Sequence, residues 1–123
     1  MMDQVSTELW VSFASLLRCY TAARSLNDEE SADVAQMGDS IRIVAGKVAM
    51  ELTRASHNSV GSWSLSSGTG QQKRGRLALL PEGRIDIDGA VLDMDHAAID
   101  LVTVVMNAAG SARSANGPVR NGR

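Results

Sequence analysis

The sequence predicts an α+β fold: an N-terminal helix, an antiparallel β-meander of four to six strands, and a C-terminal helix packed on the sheet. Three observations predict it. Apolar residues recur at three- and four-residue spacing near both ends of the chain. Between residues 76 and 94 the pattern changes to short strands, alternating most clearly from Arg84 to Asp88 and separated by turns at Pro81-Glu82-Gly83 and Asp88-Gly89. The chain has 123 residues, 44% hydrophobic and 21% charged, which suits one ordinary domain. With aromatics at 3%, the core must come from Leu, Ile, Val, Met and Ala.

Residues 4 to 26 read as the first helix. Val5, Leu9, Phe13, Leu16, Leu17 and Tyr20 form a stripe that Trp10 widens, and Asp3 or Ser6 can cap its start. An acidic connection, NDEESAD, follows at 27 to 33, with room for a helical turn from Ser31 to Met37 that Gly38 would stop. Residues 40 to 54 admit two readings. As a helix, Ile41, Val44, Val48 and Leu52 share a face. As a hairpin, Ile41 and Ile43 alternate, Gly46-Lys47 turns, and Val48, Met50 and Leu52 alternate again. The isolated glycine and the β-branched content favour the hairpin.

Residues 60 to 67 read as a short strand with Trp63 and Leu65 on one face, followed by a polar loop, SGTGQQKRG. Arg76 to Leu80, Arg84 to Ile87 and Ala90 to Met94 then form the meander, with Asp88-Gly89 as a type I′ turn. Its polar face, carrying Arg84, Asp86 and Asp88, should be wet unless a partner covers it. Asp95 suits an N-cap, His96 to Ala109 a helix, and Gly110 its stop. These readings place a single α+β domain at 1 to 110 and a disordered basic tail at 111 to 123.

Charge narrows the function classes. Three of the twelve bases, Arg113, Arg120 and Arg123, follow Gly110 and no acid does, leaving nine bases against fourteen acids in the body. An acidic body repels polyanions, so nucleic acid is not the expected partner. The tail arginines could instead touch an acidic partner or RNA, or fold back weakly onto the body. No apolar run is long enough to cross a bilayer, and MMDQVSTELW lacks the charge of a signal peptide. A lone Cys19 permits no internal disulfide. The expectation is a cytoplasmic protein with no membrane association.

Motifs that carry chemistry are missing or incomplete. The acidic series Asp86, Asp88, Asp93 and Asp95 fails the calcium-loop pattern, because Arg84 falls where a carboxylate is required. Each of these acids has a local turn or cap to serve. His57 and His96 belong to no metal-spaced pair, and no catalytic residue, metal ligand or cofactor is assigned. An acid/base pair of His57 with Asp86 would need a spatial meeting that the sequence does not specify. Gly68-Thr69-Gly70 with Lys73-Arg74 lacks phosphate-loop spacing. Cys19 reads as a buried, inert thiol.

The resulting expectation is a non-enzymatic protein-interaction or assembly module, acting as a homodimer. Its interface residues would be Trp10, Phe13, Leu17, Leu101 and Val105, because a chain this small is hard pressed to bury two broad apolar helices alone. The alternative is a small-molecule binding protein with an apolar cavity between sheet and helix, lined by Met50, Trp63 and Leu65.

Overall fold

The structure, a computed structural model, describes residues 2–25, 32–55, 59–67, 70 and 72–116, with side chains described between residues 7 and 110. Helix α1 spans Met2–Ser25. Seven strands follow: β1 Ala32–Met37, β2 Ser40–Ala45, β3 Val48–Arg54, β4 Val60–Ser66, β5 Gln72–Leu80, β6 Arg84–Ile87 and β7 Ala90–Asp93. Helix α2 spans Met94–Asn116. The strands form one antiparallel sheet in sequence order, so every connection within it joins neighbours. Both helices cover the same face, where they contact each other and the sheet.

The hairpin at 40 to 54 forms because its alternation matches the pleat. Ile41, Ile43 and Ala45 of β2 face inward beside Leu52, Met50 and Val48 of β3. Gly46 closes the turn at φ 61°, which a Cβ would oppose. At the second predicted turn, Asp88 and Gly89 both take positive φ, as type I′ requires. The Asp88 amide donates to the Arg76 carbonyl at 3.0 Å and ties the turn to β5.

Several sequence expectations are corrected. Helix α1 begins at Met2, so Asp3 and Ser6 lie inside it and neither is its cap. The sheet has seven strands, above the expected four to six, because residues 32 to 37 form β1 in place of the expected helical turn. As an edge strand it buries only half of one face, so Ala, Asp and Gln suffice there. Strand β5 begins at Gln72, so Lys73 and Arg74 belong to the sheet. The cap of α2 is Asp93, whose Oδ1 accepts the His96 amide at 2.8 Å, and Asp95 lies inside the first turn. Gly110 does not stop α2, which continues to Asn116 without a left-handed residue at that position. The rest of the predicted tail, 117 to 123, lies outside the described residues, as do His57, Gly68, Thr69 and residues 27 to 31.

The core lies between the sheet and the two helices. Trp10, Phe13, Ala14 and Leu17 come from α1, and Ala98, Leu101, Val102 and Val105 from α2. They meet a floor of Ile41, Ile43, Met50, Leu52, Leu77 and Ile85. A floor of this width receives both helical stripes at once.

Candidate functional site

The five residues expected at an interface are instead in the chain's own interior. Trp10, Phe13, Leu17 and Val105 are fully buried, and Leu101 nearly so. The physical reason is the size of the sheet: seven strands offer enough apolar surface to satisfy both helices within one chain. Met50 and Leu65 are cross-strand neighbours packed in the core cluster. Trp63 is half-buried, and its indole lies across Gly75 of β5. Its Nε1 donates to Asp88 Oδ2 at 3.1 Å, while Asp88 Oδ1 accepts the Arg76 amide at 2.8 Å. Trp63 thus braces the β6–β7 turn, and Asp88 belongs to that brace, away from the wet sheet face expected for it.

The helix-free face of the sheet is where unsatisfied surface collects. Strand register defines it row by row. One row runs Asp33, Val44, Ala49, Ser66, Gln72 from β1 to β5. The next runs Ala35, Arg42, Glu51, Ser64, Arg74, and a third runs Met37, Ser40, Thr53, Ser62, Arg76. A fourth, nearer the other edge, runs Val60, Ala78, Asp86, Val91. Met37 on β1 is 78% exposed, Val60 on β4 53% and Val91 on β7 49%, and Val44 on β2 is exposed in another row. The middle of the face is low: serine, threonine and alanine occupy most positions of β3 and β4 on this side. Among the described residues, Arg42, Arg74 and Arg76 make no side-chain hydrogen bond or ion pair, and Glu51 accepts only from Ser40 Oγ at 3.2 Å. Sequence reasoning found only the Arg84 and Asp86 end of this face. The alternation needed to see the rest, in residues 40 to 54 and 72 to 80, is present in the sequence.

Polar clusters elsewhere have structural partners. Arg54 ends β3 on the inward side, in step with Val48, Met50 and Leu52. Its Nε donates to Asp39 Oδ1 at 2.8 Å, its Nη2 donates to Thr7 Oγ1 at 2.9 Å, and its guanidinium lies 5.7 Å from the Trp10 ring centroid. The Trp10 indole donates to the Gly38 carbonyl at 3.0 Å. This group fastens α1 to the β1–β2 turn and to the end of β3.

At the start of α2, the Asp93 carboxylate meets both the amide and the ring Nδ1 of His96. The two hydrogen bonds hold the Asp93 carboxyl below its ordinary value, and the same carboxylate raises His96. Tyr20 donates to Asp95 at 2.9 Å, which raises the phenol. All three groups are at the surface and serve as a helix cap and a helix–helix tie. Asp86 likewise accepts the Gly89 amide at 2.7 Å within its turn.

Between α1 and α2 lies a groove of about 310 Å³, lined by Tyr20, Ala23, Arg24, Ile99, Val102 and Thr103. Arg24 spans it, donating to Thr103 and Asn107. Cys19, expected buried, is exposed on α1. Among the described residues no three His, Cys, Asp or Glu are grouped to hold a metal, and no helix is long and apolar enough to cross a membrane. No protein-family model matches the chain, and neither a curated protein nor a solved structure is significantly similar to it.

Proposed function

We propose that this protein is a non-enzymatic interaction module that works as a homodimer, and that its contact surface is the helix-free face of the sheet. One observation carries the reading. Of the seven large hydrophobic residues exposed among those described, four (Met37, Val44, Val60 and Val91) stand on that single face. Scattered exposed apolar residues need no explanation, but four on one sheet face mark a surface that association would cover. The remaining three, Val11, Ile99 and Val104, are spread over the two helices.

The interface therefore moves from the helices to the opposite side of the sheet. A cavity-binding role has less support, because Met50 and Leu65 are packed into the core. The acidic body still disfavours nucleic acid as a partner. The test is a Val60→Lys, Val91→Lys double variant followed by analytical ultracentrifugation. Weaker self-association with an unchanged thermal midpoint supports the reading. Unchanged self-association places any contact elsewhere.

A further inference from the structure

We draw no further inference here: the strongest candidate, the groove between α1 and α2 lined by Tyr20, Ala23, Arg24, Ile99, Val102 and Thr103, is an apolar groove, and nothing in the structure shows what covers it.

Discussion

Replacing Asp39 with Ala should cost far more stability than its position near a surface turn suggests. The cost comes from the partner it leaves behind. The Arg54 side chain is only 2% exposed, whereas that of Asp39 is 26% exposed. Removing one member of a buried pair costs about 3–5 kcal/mol, because the other charge stays desolvated. The Thr7 hydroxyl and the Trp10 ring remain near the guanidinium, so the expected loss sits at the lower end, about 3 kcal/mol. For a domain with a total stability of about 5–15 kcal/mol this is a large fraction. Arg54→Met removes the buried charge and keeps much of the stem, so it should cost less than Asp39→Ala despite deleting the more buried side chain. Urea unfolding followed by circular dichroism reads both numbers, with the slope checked for constancy. An Asp39→Ala loss below about 1 kcal/mol, the range of a surface pair, would refute the reasoning. So would an Arg54→Met loss greater than that of Asp39→Ala.

Gly75→Ala should be strongly destabilising in a urea titration and should change Trp63 fluorescence, because a Cβ there collides with the indole and with the Asp88 carboxylate. Thr21→Val should hold or raise stability by up to about 1 kcal/mol, since the buried Thr21 hydroxyl has no hydrogen-bond partner among the described residues; a urea titration showing a clear loss would contradict this. The Asp93–His96 tie contributes stability from both partners in the window between their ordinary values, 3.8 and 6.5. The His96 contribution is complete below 6.5 and fades as pH rises through its raised folded-state value. The Asp93 contribution is present above 3.8 and fades as pH falls through its lowered value. In an NMR titration His96 should titrate above 6.5, and Asp93→Asn should bring it back toward that value.

The parts of the fold legible in the sequence are those with their own punctuation. The hairpin at 40 to 54 shows through alternation around Gly46, and the strands from Arg76 to Asp93 through Pro81-Glu82-Gly83 and Asp88-Gly89. Strand β1 is not legible, because ADVAQM holds one β-branched residue and its pairing with β2 is decided across the turn at Gly38 and Asp39. The cap of α2 falls two residues before its expected place because Asp93 and Asp95 are equivalent to local reasoning. Only the end of β7 decides between them.

The interface is hidden from the sequence for a related reason. A stripe such as Trp10, Phe13 and Leu17 shows that a helix is covered, but not whether the same chain covers it. That depends on the number of strands, which the unseen β1 lowers. Arg54 carries a signal of its own: it shares the parity of Val48, Met50 and Leu52, so the pleat turns it inward and a buried partner must follow. The helix-free face needs the full register before its rows can be seen. Arg42, Glu51, Ser64 and Arg74 lie on four different strands and are aligned only by three successive pairings.

The central claim is that the chain associates with itself through the helix-free sheet face, and the most direct measurement is its mass in solution by light scattering over a range of concentrations. The account predicts a species of twice the 13.0 kDa chain that dissociates on dilution. A mass that stays at that of one chain at every concentration would contradict it.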